Sequence, residues 1–217
     1  MTNKLFNLVY LPAIFGFLIL SVVFGFAQSA PTDTWELIKE KGDLKVYTRK
    51  NINSNIKEIR ITTLVRAPME DFIDALNDAD SYKLWVYRCS FSTLVEKPSS
   101  SELYYHTATD FPFPFSDRDL VVYTSQRFDE HGVFFSDSYA RPDHLPMVED
   151  VVRIFYFESH WKVTALDDGT LHIDYNSKVD PAGNIPQWIV NLGLTVGPVK
   201  SMEKFTEFVE KGRFVKK

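Results

Sequence analysis

From Leu44 onward the chain alternates apolar and polar residues in short runs, the period of half-buried strands. Near Pro186 that period lengthens to the spacing of a helix. Leu44 to Arg49 and Ile56 to Val65 are predicted strands, joined by an Asn-rich turn at Asn51 to Asn55. Strand-like runs follow at Ser90 to Val95, Leu103 to Thr109, Leu120 to Arg127, Val133 to Tyr139, Val151 to Val163 and Thr170 to Val179. Turn residues such as Glu130-His131-Gly132 and Asp167-Asp168-Gly169 separate them, which favours hairpins over crossovers. Asp33-Thr34-Trp35-Glu36 reads as a capping box opening a short helix that Gly42 ends. Ala67-Pro68 starts another, in which Phe72, Ile73 and Leu76 share one face.

The run from Asp180 to Asn191 marks the change of period. Gly183 permits a backbone excursion that residues with a Cβ resist, and Pro186 suits the first turn of a helix, where its missing N–H costs nothing. Trp188, Ile189, Leu192, Val196, Val199, Phe205 and Phe208 then recur at roughly helical spacing. A long helix with an apolar stripe, from about Ile185 to Val209, must bury that stripe against a sheet. Hairpin strands followed by such a helix make the class α+β. Gly193 and Gly197-Pro198 interrupt the helix and mark sites where it can bend, so it reads as both wall and gate of whatever it covers. The Pro-containing loop from Arg141 to Glu149 is the candidate for the opposite lip.

At the N-terminus, Lys4 precedes an uncharged apolar stretch, Leu5 to Ala27, ending in Gly25-Phe26-Ala27, which resembles a signal peptidase site. Residues 1–27 are therefore expected to be a signal peptide, with 28–217 as one exported domain. The stretch is also long enough to span a bilayer, so an uncleaved anchor is the alternative. In both cases the globular part is expected outside the cytoplasm, periplasmic or extracellular. Cys89 is the chain's only cysteine, so no intramolecular disulfide forms, which fits a bacterial exterior. The 217 residues carry a net charge of −5, which argues against nucleic acid or an anionic membrane surface as a partner. Aromatic residues make up 15% of the chain and supply large rigid side chains for a core or for the walls of an apolar cavity.

Several stretches, in order, resemble the START family, the steroidogenic acute regulatory-related lipid transfer domains of the helix-grip superfamily. Trp35 through Gly42 to Tyr47 looks like its opening helix and first strand, and Asp80 to Trp85 with Cys89 like its Asp-x-x-x-x-Trp segment. Tyr104-Tyr105, Phe111-Pro112-Phe113-Pro114, Arg118-Asp119 and Val152-Arg153 through Trp161 resemble later elements. Asp180-Pro181, Gly183, Ile185-Pro186 and Trp188 match its C-terminal signature. Trp85, Arg118, Asp119, Arg153, Asp180, Pro181, Gly183 and Pro186 are taken as structural members of that signature, with Arg118 and Asp119 forming an ion pair or a backbone clamp.

The resemblance implies a curved antiparallel sheet wrapped on the long helix around a hydrophobic tunnel that holds one lipid-like molecule. A monomer able to make transient membrane contact is expected. Sterol-binding members carry an acidic residue about thirteen positions before the Arg of the Arg-Asp pair and a basic residue six after it. Here those positions fall on Tyr105 and Thr124, so the charged pair is missing and hydroxyls stand in its place. Tyr105 and Thr124 are the expected polar contacts of the cavity; Trp188, Leu192, Val196 and Val199 are its expected apolar ones.

Residues suited to catalysis are sparse. His106, His131, His144, His160 and His172 show no metal-ligand spacing on a predicted helix, so neither metal nor cofactor is expected. His172 and Asp174 share a strand face as ordinary surface residues do. No Gly-x-Ser-x-Gly elbow or phosphate-cradling loop is present, and Cys89 has no sequence partner to activate it. An acid/base pair of His106 and Asp110 is the one route to an enzyme. Related helix-grip proteins include polyketide cyclases and dehydratases, which makes such an enzyme, or a membrane-tethered ligand sensor, the alternative to a carrier.

Overall fold

The structure is a computed structural model that describes residues 34–50, 57–183 and 185–212, with the side chains of residues 50, 57, 187 and 191–194 outside the description. The predicted signal segment at 1–27 and the turn at Asn51 to Asn55 lie outside the described residues. The described chain is one curved sheet folded around a C-terminal helix, in the α+β class.

The strands are β1 (Glu36–Lys41), β2 (Leu44–Lys50), β3 (Lys57–Arg66), β4 (Cys89–Ser99), β5 (Glu102–Thr109), β6 (Arg118–Phe128), β7 (Phe134–Ala140), β8 (Val152–Arg153), β9 (Tyr156–Ala165) and β10 (Thr170–Asp180). The helices are α1 (Met69–Asn77), α2 (Tyr82–Trp85) and α3 (Gln187–Glu210), with a 3₁₀ turn over Ala79–Ser81 before α2. Sheet order is β1-β2-β3-β10-β9-β7-β6-β5-β4, all antiparallel, with β8 added in parallel to β6.

Two predicted elements differ. The expected opening helix after Trp35 is instead β1, paired with β2 from Glu36↔Thr48 to Lys41↔Leu44. Gly42, at φ 59°, does not end a helix but turns the chain within two residues into a hairpin. The apolar residues of this segment, Leu37 and Ile38, are 48% and 43% exposed, so there is no buried stripe to hold a helix. The single strand expected from Val151 to Val163 is two: β8 bonds to β6 through Arg118↔Val152 and Asp119↔Arg153, and β9 then starts anew between β7 and β10. Alternation alone does not reveal such a change of partner, because both pieces keep the same period.

The core lies where α1 and the second half of α3 meet the sheet. Phe72 of α1 packs edge-on against Phe134, Trp161 and Phe205, with ring centroids 6.3, 5.7 and 5.3 Å apart. Val199, Met202, Phe205, Phe208 and Val209 of α3 are all buried there. Phe205 and Phe208 thus belong to the predicted stripe, whereas Trp188 faces solvent at 63% exposure. The helix runs unbroken through Pro198, which removes one N–H from its ladder. Among the described residues no helix is long and apolar enough to cross a membrane.

Candidate functional site

Between the concave face of the sheet and α3 lies a cavity of about 320 Å³. Its closed end is aromatic: Trp85, Trp161 and Phe205 line it, and their centroids lie 4.7 Å (Trp85–Phe205) and 5.4 Å (Trp161–Phe205) apart. Its open end is bounded by Arg88, Asp110, Pro112 and Pro181. Leu120, Ile154, Phe157 and Val179 form an apolar belt inside that mouth. From the α3 side come Ile189, Val190, Gly197, Pro198, Ser201, Met202 and Phe205.

Strand alternation decides which side chains reach this space. On β5, Tyr105, Thr107 and Thr109 point inward, so His106 between them points to the convex face. There its Nε2 lies 2.8 Å from an Asp119 carboxylate oxygen; the expected pairing with Asp110 is not formed, and Asp110 instead gives its backbone N–H to the Arg88 carbonyl at 2.9 Å. Among the described residues no histidine lines the cavity and no cluster of potential metal ligands occurs. Asp174, beside His172 in the sequence, is held by Arg60 at 2.7 and 2.5 Å. The Cys89 thiol is pushed up by burial, against the hydrogen bonds of Thr107 and Phe91, which favours the unreactive thiol.

Arg118 and Asp119 are consecutive on β6 and so face opposite sides of the sheet; they do not pair with each other. Arg118 is a backbone clamp. Its Nε donates to the Pro181 carbonyl at 3.1 Å and its Nη2 to that of Ala182 at 3.3 Å, while Nη1 donates to Ser116, and the guanidinium stacks 4.2 Å over Phe111. It therefore ties the loop before β6 to the loop before α3 at the mouth of the cavity. That second loop is shaped by Asp180, which accepts the Ala182 N–H at 2.9 Å, and by Gly183 at φ 75°. Pro186 caps α3, its carbonyl accepting from Ile189 at 2.9 Å and Val190 at 3.3 Å.

Asp119 belongs to a buried network on the convex face. Arg153 donates to it from Nε at 2.9 Å and Nη2 at 2.8 Å, and also donates to the carbonyls of Pro142, Leu145 and Pro146. Burial pushes the Asp119 carboxyl up, but hydrogen bonds from Arg153 and His106 outweigh it and hold the group below the usual carboxylate range. The loop from Arg141 to Glu149 is thus pinned to the convex side and contributes nothing to the cavity lining, so it is not the opposite lip. The segment facing α3 across the mouth is Asp110 to Pro112.

Of the residues expected at the cavity, Tyr105 and Thr124 line it. Trp188 projects into solvent beside the mouth, Val196 is half-buried outside the lining, Val199 is packed in the core, and the Leu192 side chain lies outside the description. Ser136, Ser138, Ser159, Ser177 and Tyr175 were not singled out from the sequence, yet all line the cavity. Their signal was present as polar residues in the inward phase of otherwise apolar strands; it gains meaning only once the strand order is known. Burial raises the Tyr105 hydroxyl well above its ordinary value and raises that of Tyr175, so both remain neutral donors.

The family model for the START domain matches residues 29–213. An uncharacterized protein of Pseudomonas aeruginosa is 24% identical over 191 residues, covering 88% of this chain and 94% of that protein. The bovine phosphatidylcholine transfer protein is 26% identical over 172 residues, covering 72% of this chain and 75% of its own. The solved structure of a STAR-related lipid transfer protein fragment from Xanthomonas axonopodis superposes with a TM-score of 0.75 at 26% identity, over 81% of this chain and 98% of that one.

Proposed function

Because this chain belongs to the START domain family, we propose that it encloses one lipid or other hydrophobic small molecule beneath α3 and carries it between membranes. The observation that carries this reading is the cavity itself, with an aromatic closed end, an apolar belt and ionisable Arg88 and Asp110 only at its exposed mouth. Such a wall replaces the membrane interior. Each enclosed methylene contributes about 0.8 kcal/mol, so a ten-carbon tail gains roughly 8 kcal/mol before ordering and translational losses. That is enough to hold a ligand and still release it.

Two features support membrane contact. Phe113 is 97% exposed and adjoins the lining residues Phe111 and Pro112, while Trp188, 63% exposed, adjoins the lining residue Ile189. Large apolar side chains bare at a cavity mouth suit insertion into a bilayer surface. Catalysis is outside this reading, since His106 faces Asp119 away from the cavity and the Cys89 thiol is stabilised in its neutral form. The sequence of Leu5 to Ala27 supports work outside the cytoplasm, as a released or a tethered domain.

Native mass spectrometry of the purified protein, followed by transfer of labelled lipid between vesicles, tests the proposal. A co-purified lipid and protein-dependent transfer are expected. A protein that purifies empty and neither takes up nor moves lipid refutes it.

A further inference from the structure

Four hydroxyl residues stand directly opposite one another across four adjacent strands: Thr124 on β6 faces Ser138 on β7, Ser138 faces Ser159 on β9, and Ser159 faces Ser177 on β10. All four are buried and all four line the cavity. They form one polar row across its floor, inward of the apolar belt, since Val179 and Pro181 follow Ser177 toward the mouth and Tyr175 precedes it toward the closed end. Hydroxyls are poor choices for a purely apolar wall, where alanine or valine would gain more from burial.

The hydroxyls of the row pair with one another and with Tyr175, and as hydroxyls each keeps a further lone pair that faces the cavity. Thr124 and Ser138 share a hydrogen bond of 2.8 Å, and Ser159 and Ser177 are the polar neighbours of the Tyr175 hydroxyl. Among the lining residues, the Trp85 indole Nε1 is buried with no hydrogen-bond partner in the described structure, in a wall shared with Tyr82 and Tyr105. A buried donor left open onto a cavity is what a ligand's polar atom would complete. The same floor holds no ionised group: among the lining residues Arg88 and Asp110 carry charge, and both are exposed at the mouth.

Resting on the carrier reading above, we propose that the row of Thr124, Ser138, Ser159 and Ser177, with Tyr105 and Tyr175, receives an uncharged polar group of the ligand, an alcohol, ester or amide, inserted inward past the apolar belt. The row selects against lipids whose polar head is ionised. A phosphodiester at this depth would meet hydroxyl donors but no counter-charge, and a buried charge without one is far costlier than a neutral group with hydrogen bonds. Hydroxyls both donate and accept, so the row suits carbonyl oxygens and hydroxyls alike.

The test compares three probes that each carry a single long chain: monooleoylglycerol, oleoyl lysophosphatidylcholine and the hydrocarbon hexadecane. Binding is read from the fluorescence of Trp85 and Trp161, which line the cavity, and from native mass spectrometry. Monooleoylglycerol is expected to bind at least about 10-fold more tightly than the lysophospholipid, since an unpaired buried charge costs more than one hydrogen bond. Ser159→Ala and Ser177→Ala are each expected to weaken monooleoylglycerol by about 3- to 10-fold, the worth of one hydrogen bond, and to leave hexadecane unchanged. Thr124→Val, which keeps the side-chain shape, gives a second variant should either alanine variant fold poorly.

Lysophospholipid binding as tight as the monoglyceride overturns the proposal, as does a monoglyceride affinity indifferent to these substitutions while hexadecane still binds. Either result leaves the carrier reading standing with a different head-group rule. If none of the three probes binds, the carrier reading fails, and this one with it.

Discussion

The Arg118 guanidinium Nη2 stands 3.4 Å from where a Cβ on Gly183 would lie, so the loop that opens α3 is shaped around an arginine from a distant strand. Gly183 answers one demand, a φ of 75°, while a Cβ there would meet the clamp on Pro181 and Ala182 only at ordinary van der Waals distance. Gly183→Ala is expected to destabilise by about 1 kcal/mol, since alanine resists positive φ. Arg118→Ala, which removes a buried guanidinium and leaves the carbonyls of Ser116, Pro181 and Ala182 without its donors, is expected to cost about 2–4 kcal/mol in thermal or urea unfolding. Both variants should keep the same bound lipid species by mass spectrometry. A stable Arg118→Ala protein with a different ligand would put Arg118 in the binding site instead.

The Asp119–Arg153 pair sets a limit on the acid side. The folded protein holds the Asp119 carboxyl below its ordinary value. Its contribution is therefore complete above the ordinary carboxylate range and is lost as pH falls through the depressed folded value. Asp119→Asn leaves the Arg153 guanidinium buried without its counter-charge and is expected to cost about 3–5 kcal/mol at neutral pH. Urea midpoints of wild type and variant should differ most at neutral pH and converge in acid. A gap that stays constant from neutral to strongly acid conditions would rule out Asp119 as the acid-sensitive group.

Much of this molecule is legible in its sequence because alternation and turn residues report burial locally. The strands from Leu44 to Val179 and the stripe ending in Phe205 and Phe208 were accessible for that reason. What escaped depends on partners remote in the chain. Whether Glu36 to Lys41 coils or extends is decided by pairing with β2, and the division of β8 from β9 by a switch from β6 to β7 and β10. The same holds for the site. Tyr105 and Thr124 were reachable through a family pattern, but Ser138, Ser159 and Ser177 form a row only in the sheet's register. Trp188 fits the helical period yet lies outside the buried arc, because a stripe read from spacing has no sharp edge.

Phe113 and Trp188 should act in membrane contact and not in folding. Phe113→Ser and Trp188→Ser are each expected to change stability by less than about 0.5 kcal/mol, as exposed substitutions generally do. Each should lower vesicle binding and slow lipid transfer severalfold, the double variant more than either. Co-purified lipid should be unaffected. Transfer at the wild-type rate by the double variant would place the membrane-facing surface elsewhere.

Pro198 is where α3 is expected to move. From Val199 to Val209 the helix is anchored by five buried side chains, and Lys41 and the Arg66 backbone bond to Glu203 at 3.1 Å and Glu210 at 3.2 Å. Before Pro198, Ile189 is the buried residue among the described side chains, and Trp188 faces solvent. The proline removes one N–H from the ladder at the junction, and Gly197 beside it is the most permissive residue a helix can hold. The expectation that follows is that the first half of α3 swings from the cavity while the second half stays in the core. Pro198→Ala restores the missing N–H and is expected to raise the melting temperature by several degrees, since an interior proline costs a helix up to about 3 kcal/mol. If the swing is the gate, the same variant should release lipid severalfold more slowly while holding the same species. A variant with a higher melting temperature and an unchanged release rate would leave α3 as a fixed wall and require the ligand to leave past Asp110 to Pro112.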